Sequence, residues 1–272
     1  MSRLVARFEA LRAHNRRALV TYITAGDPEP QMTPGLLHTL TKAGADILEL
    51  GVPFSDPTAD GPAIQAAHER ALAHGVRLAD ALNMVAAFRR RDDSTPIVLM
   101  GYLNPIVAMG ATAFADAAAQ AGVDGVIAVD LPPEEAASLH ALLRERDIDL
   151  IFLVAPTTTA ARIKRIAALA SGFIYYVSLK GTTGAGTLDT AAVADKLRDV
   201  RTHTALPIAV GFGVRSGESA AALAQVADAV VVGSALIERI VAADNDAARR
   251  QAAADFVGEL RTALDNAMAA PA

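Results

Sequence analysis

The sequence predicts an α/β protein folded as one (β/α)8 TIM barrel, and three observations carry that expectation. Eight short runs rich in Val, Ile and Leu recur along the 272 residues. Most are continuously apolar rather than alternating, which is how strands covered on both faces read. Ala-rich segments with helical spacing separate them, and eight such units over roughly 250 residues fill a closed barrel. An open doubly wound sheet is the main rival. It would place a Gly-rich phosphate turn after the first strand, where this chain has "TAGDPEP" (24–30).

The chain opens on "MSRLVARFEALRAHNRRALV", an amphipathic pattern with charges throughout. It reads as an extra N-terminal helix rather than a secretion signal. The first strand is "ALVTYIT" (18–24), followed by a helix over 34–44 and a second strand, "ADILELG" (45–51). About 50 residues then separate strand two from strand three, where neighbouring units take 20 to 35. The excess is a Pro-rich loop and an inserted short helix over 63–75, placed before the regular helix over 79–91. Further strands are expected at 96–102, 123–130, 148–156, 172–179, 206–213 and 227–234. Helices at 110–122, 133–147 and 160–170 alternate with them, and the Ala-rich tail after Ala247 reads as a last helix. With no interdomain linker, one barrel domain is expected over 1–272, its core at about 16–265.

Composition narrows the function classes. The chain is 52% hydrophobic and 20% charged, with net charge −5 and no run of basic residues interleaved with aromatics, which argues against nucleic acid. Its mean hydropathy is +0.30 and its pI near 5.7. There are no cysteines, hence no thiolate nucleophile or Cys-based metal site, and no run approaches the ~20 apolar residues of a membrane span. A soluble cytoplasmic protein is expected.

In a barrel the strand C-termini and the loops after them form the active face. Strand two ends in "LELGVPFSDPTADGPA" (48–63), which holds Glu49 inside an apolar run and then Asp56 and Asp60. If Leu48 and Leu50 meet the helices, Glu49 points into the barrel mouth, since alternate residues share a face. Desolvation there raises a carboxyl pKa and suits it to give and take protons near neutrality. Asp60 lies in a loop stiffened by Pro53, Pro57 and Pro62 and is expected to stay ionised. Two carboxylates in unlike environments make an acid/base pair. Asp56 fits either a functional role or a plain turn, because "FSDP" is good turn sequence.

Glycines follow the last strands: Gly211 and Gly213 after strand seven, then Gly233 with Ser234 opening a helix after strand eight. Bare backbone N–H groups beside a helix N-terminus form an anion site, and this pairing of loops is the usual phosphate site of the fold. A third Gly-rich loop, "KGTTGAG" (180–186), brings Gly184 toward the same group. A small phosphorylated substrate is expected. Three other chemistries fare worse. All six histidines, at 14, 38, 68, 74, 140 and 203, are expected to lie away from strand ends, which argues against zinc and leaves the serines without an activating base. Lys180, the one candidate for a Schiff base, falls on the wrong parity just past its strand.

"LELGVPFSDPTADGP" closely resembles the signature of the tryptophan synthase alpha chain family. The likeness continues in order through "YITAGDP" (22–28), "MGYLNP" (100–105), "DLPPEE" (130–135), "GTTGAG" (181–186), "GFGV" (211–214) and "VVGSALIE" (231–238), spanning about residues 8 to 260. The resemblance implies a TIM barrel that cleaves indole-3-glycerol phosphate to indole and glyceraldehyde 3-phosphate. It uses no cofactor or metal of its own and partners a pyridoxal-phosphate beta chain in an alpha2beta2 assembly. It further implies Glu49 as the acid/base group and Asp60 as the acceptor of the indole N–H. Gly184, Gly213, Gly233 and Ser234 would hold the phosphate, and Tyr175 would contact a substrate hydroxyl. Tyr22, Met100, Ile127 and Phe212 would wall the indole, and Asp56 with Thr183 would close over the site. A face near Asn104 and Pro105 and the strand-two loop would meet the beta chain. Thr58 stands where the family is usually aliphatic and Thr182 where it usually has valine. Two rivals stay open: another sugar-phosphate aldolase or isomerase on this barrel, and a non-catalytic barrel that binds a phosphorylated ligand.

Overall fold

The structure is a computed structural model and describes residues 2–177, 190–211 and 213–269. Among them, parallel strands pair in the order β5-β4-β3-β2-β1-β9-β8-β7-β6. They are β1 (Ala18–Thr24), β2 (Ile47–Gly51), β3 (Ile97–Gly101), β4 (Gly125–Ala128), β5 (Asp149–Leu150), β6 (Phe152–Val154), β7 (Ile174–Val177), β8 (Ile208–Gly211) and β9 (Ala229–Val232). Only Ile151 separates β5 from β6, so the sheet closes through one interrupted strand. β5 pairs with β4 on one side and β6 with β7 on the other. The sequence predicted that strand as continuous over 148–156; instead the pairing partner changes at Ile151, whose N–H still bonds the Val126 carbonyl at 2.9 Å.

Strand parity decides what lies inside. Leu48 and Leu50 of β2, Leu99 of β3 and Val210 of β8 join the layer packed beneath the helices. Ile47, Val98, Ile127, Ile151, Tyr175, Ala209 and Val231 form a second, interior cluster. Helix α1 (Arg3–Ala13) closes its floor with Leu4, Phe8 and Leu11, and the Phe8 ring meets Phe173 at 5.9 Å. Gly125 is needed there: a Cβ would sit 2.9 Å from Ile151 Cδ1 and 3.1 Å from Leu4 Cδ1.

The outer layer is α2 (Thr33–Ala43), α3 (Pro62–Ala73), α4 (Leu78–Arg89), α5 (Leu103–Met109), α6 (Ala111–Ala121), α7 (Ala137–Arg144), α8 (Ala160–Leu169), α9 (Thr190–Arg201), α10 (Gly217–Ala224), α11 (Ser234–Val241) and α12 (Asp246–Ala269). Both the N-terminal helix and the inserted helix after strand two are present, the latter as α3 with Pro62 at its first position, where the missing N–H costs nothing. Helix α5 was not expected after "MGYLNP". Pro105 sits in its first turn, which tolerates proline, and Asp130 accepts the Leu103 N–H at 2.7 Å. No helix among the described residues is long and apolar enough to cross a membrane.

One buried ion pair ties α12 to the barrel wall. Arg261, 7% exposed, donates from Nη1 to Asp46 Oδ2 at 2.9 Å and to the Arg17 carbonyl at 3.0 Å. Asp46, 5% exposed, also accepts the Leu19 N–H at 2.9 Å. Removing that carboxylate leaves the buried Leu19 N–H without its acceptor and Arg261 with only Asp265 and the Arg17 carbonyl to offset its buried charge. Asp46→Ala should therefore lower unfolding stability by about 3 kcal/mol, read as an earlier midpoint in urea.

Candidate active site

Glu49 stands on β2 facing inward, in register with Tyr22 of β1 and Val98 of β3. It is 1% exposed, and neither carboxyl oxygen has a hydrogen-bond partner among the described residues. Burial without compensation raises its pKa from 4.5 to about 8, with the nearby Asp60 charge adding to the rise. At neutral pH this group holds a proton that no described residue engages.

Asp60 ends the loop between β2 and α3, its side chain only 5% exposed. Tyr102, just past β3, donates from Oη to Asp60 Oδ2 at 2.8 Å, and the Tyr102 oxygen itself accepts the Ala59 N–H at 3.0 Å. The Asp60 pKa is raised from the usual carboxylate value: burial is the larger effect, and the Tyr102 bond and the nearby His68 only partly offset it. Asp60 is thus almost as enclosed as Glu49. The two environments differ by hydrogen bonding rather than by exposure, because Asp60 has a donor and Glu49 has none.

The phenol of Tyr22 crosses the β2 strand end: a Cβ on Gly51 would lie 2.1 Å from Tyr22 Oη. Tyr175 of β7 crosses β8 in the same way, 2.4 Å from a Cβ on Gly211. The two glycines therefore leave room for two buried phenols. Burial, followed by neighbouring charge, raises the pKa of both. Met100 and Ile127 face inward as register partners on β3 and β4. Gly233 precedes α11 and Ser234 begins it. A Cβ on Gly233 would meet Tyr22 Cβ at 3.3 Å, so this helix N-terminus opens beside the tyrosine. Its first N–H groups have no partner four residues back. Gly213 adopts φ +81°, a conformation that suits glycine. Asp56 and Thr58 are exposed on the strand-two loop, where the Thr58 N–H bonds the Asp56 carbonyl at 2.8 Å. Lys180, Thr182, Thr183, Gly184 and Phe212 lie outside the described residues.

One expectation is overturned. His68 is not remote from the strand ends: it is 2% exposed on α3 and reaches into this mouth. Its Nδ1 accepts the Phe54 N–H at 2.9 Å, so a neutral ring carries its hydrogen on Nε2. That nitrogen lies 3.3 Å from Tyr22 Oη and 4.0 Å from Asp60 Oδ2. Burial lowers the His68 pKa, with the Asp60 charge opposing. The signal was in the sequence: Ile64, Ala67, His68 and Ala71 share helical spacing, and three of them are buried. Strand spacing identifies the inserted helix only as extra length and assigns nothing to its inner face. Among the described residues no three His, Asp or Glu side chains gather in a way that would hold a metal ion.

A family model described as "Tryptophan synthase alpha chain" matches residues 8–265. The tryptophan synthase alpha chain of Thioalkalivibrio sulfidiphilus is 59% identical over 266 residues, covering 97% of this chain and 100% of the relative. That of Nitrosococcus oceani is 60% identical over 240 residues, covering 88% and 89%. Among solved structures, tryptophan synthase subunit alpha from Legionella pneumophila superposes with a TM-score of 0.91 at 44% identity, covering 98% of this chain and 99% of that one. A chain of tryptophan synthase from M. tuberculosis in its aminoacrylate-bound form gives 0.87 at 37%, covering 97% and 100%.

Proposed function

Because the chain belongs to the tryptophan synthase alpha chain family, we propose that its paired carboxyl groups cleave indole-3-glycerol phosphate into indole and glyceraldehyde 3-phosphate. The observation that carries this reading is Glu49: buried, without a hydrogen-bond partner among the described residues and with its pKa raised to about 8, to which Asp60 contributes.

The steps start from a protonated Glu49 and an Asp60 side chain free to accept a hydrogen bond. Glu49 gives its proton to indole C3, and Asp60 accepts the indole N–H, offsetting the positive charge that spreads over the ring. The bond from C3 to the glycerol carbon then breaks, and its electron pair restores the aromatic indole. The hydroxyl on that carbon loses its proton to the Glu49 carboxylate and becomes the aldehyde oxygen. Glu49 thereby regains the proton it gave, so the cycle balances without an external acid or base.

The remaining residues hold the substrate. Gly213, Gly233 and Ser234 offer backbone N–H groups and a helix N-terminus to the phosphate, with Gly184 from the loop after β7. Tyr22, Met100, Ile127 and Phe212 wall the indole, Tyr175 meets a hydroxyl, and Asp56 with Thr183 closes the entrance. Pyridoxal phosphate belongs to the beta chain, to which this chain passes indole in a cytoplasmic alpha2beta2 assembly. The face beside Asn104 and Pro105 of α5 fits that contact, since Val107 on the same helix is 63% exposed. Indole release from indole-3-glycerol phosphate, measured with and without a beta chain, tests the reading. Release that rises strongly when the beta chain is added is expected; no release under either condition would refute it.

A further inference from the structure

His68 touches neither proposed carboxyl group within hydrogen-bond distance, yet it is buried at the point where the strand-two loop leaves β2 and returns to α3. Its contacts form a directed chain. The Phe54 N–H donates to Nδ1 at 2.9 Å, fixing the loop three residues after β2. The Phe54 ring stacks on Tyr102 with centroids 4.8 Å apart and planes 24° from parallel. Tyr102 in turn donates to Asp60 at 2.8 Å. On its other side, His68 Nε2–H faces Tyr22 Oη at 3.3 Å, leaving the Tyr22 hydrogen for Thr24 Oγ1 at 3.2 Å. One imidazole on α3 is therefore bonded to the start of the loop and to the indole wall, and lies beside the loop's far end.

We infer that His68 is a positioning residue: through the Phe54 backbone and the Phe54–Tyr102 stack it fixes the Asp60 carboxylate for the reaction. The inference rests on the function proposed above but has its own structural consequence. The Nδ1 acceptor carries the role, because 2.9 Å to Phe54 is a full hydrogen bond and 4.0 Å to Asp60 is not. Asparagine places an oxygen where Nδ1 stands; methionine fills similar volume without a comparable acceptor.

His68→Met is expected to lower kcat by about tenfold to a hundredfold, the scale of a misplaced catalytic group, with KM changed by less than about threefold because the phosphate loops are untouched. His68→Asn is expected to recover most of kcat. Amide exchange in the peptide spanning 52–61 should quicken in His68→Met and return to the wild-type rate in His68→Asn, with α4 unchanged in both. Wild-type kcat in His68→Met, or equal losses in both variants, would overturn the inference. Should the wild-type chain release no indole, the function fails rather than the clamp. Exchange alone then decides: faster exchange only in His68→Met upholds the clamp, and equal exchange in all three chains refutes it.

Discussion

Glu49→Gln should abolish nearly all indole release while making the protein more stable above neutral pH. The loss of turnover is expected at about 10²- to 10⁴-fold, the range of a positioned acid/base group, because an amide neither donates nor recovers the proton. The gain in stability has the opposite origin. In the folded chain Glu49 titrates at about 8 rather than 4.5, so between those values the folded state holds a proton that the unfolded chain has released. Stability therefore falls as pH rises through that window, is fullest below 4.5 and levels off above about 8. At about 1.4 kcal/mol for each tenfold in proton affinity, the cost reaches about 5 kcal/mol, and glutamine removes it. Thermal melts should show the variant's advantage growing by roughly 10 °C between pH 4.5 and 8. A constant difference across that range would mean that Glu49 is not buried as an uncompensated acid.

That conflict between activity and stability explains why Glu49 was legible in the sequence. A carboxylate in the run "ILELG" breaks the continuous hydrophobic pattern of a two-sided strand, and a fold tolerates such a break where the site needs it. Strand parity aims it inward on the condition that Leu48 and Leu50 meet the helices, and they do. The alternation of eight strand runs with helices was likewise readable, because each run is apolar on both faces. Less readable were features set by contacts between distant segments. Ile151 interrupts the fifth strand where its neighbour changes from β4 to β7. Helix α5 starts across a proline and is capped by Asp130, 27 residues later in the chain. The hydrogen-bond donor to Asp60 comes from Tyr102 just past β3, and its neighbour His68 from α3, which no local pattern joins to its loop.

Asp60→Asn should reduce kcat by about 10²- to 10³-fold, the effect of losing one group aimed at charge that develops in the transition state. The mutation keeps the shape of the site, because the asparagine oxygen still accepts from Tyr102, so substrate binding should weaken far less than turnover. It also changes Glu49. Burial is the larger cause of the raised Glu49 pKa and the Asp60 charge the smaller. Without that charge the Glu49 pKa should fall below about 8 while staying well above 4.5. In the proposed cycle Glu49 begins protonated, so the alkaline limb of kcat/KM should report its deprotonation in the free enzyme. In Asp60→Asn that limb should move to lower pH, and in a Tyr102→Phe variant, which leaves the charge in place, it should hardly move. A limb that stays near pH 8 in Asp60→Asn would separate the two carboxylates and refute their joint action. The expected shift would tie both to a single electrostatic unit, in which the group that polarises the indole N–H also keeps the proton on its partner until C3 is ready to take it.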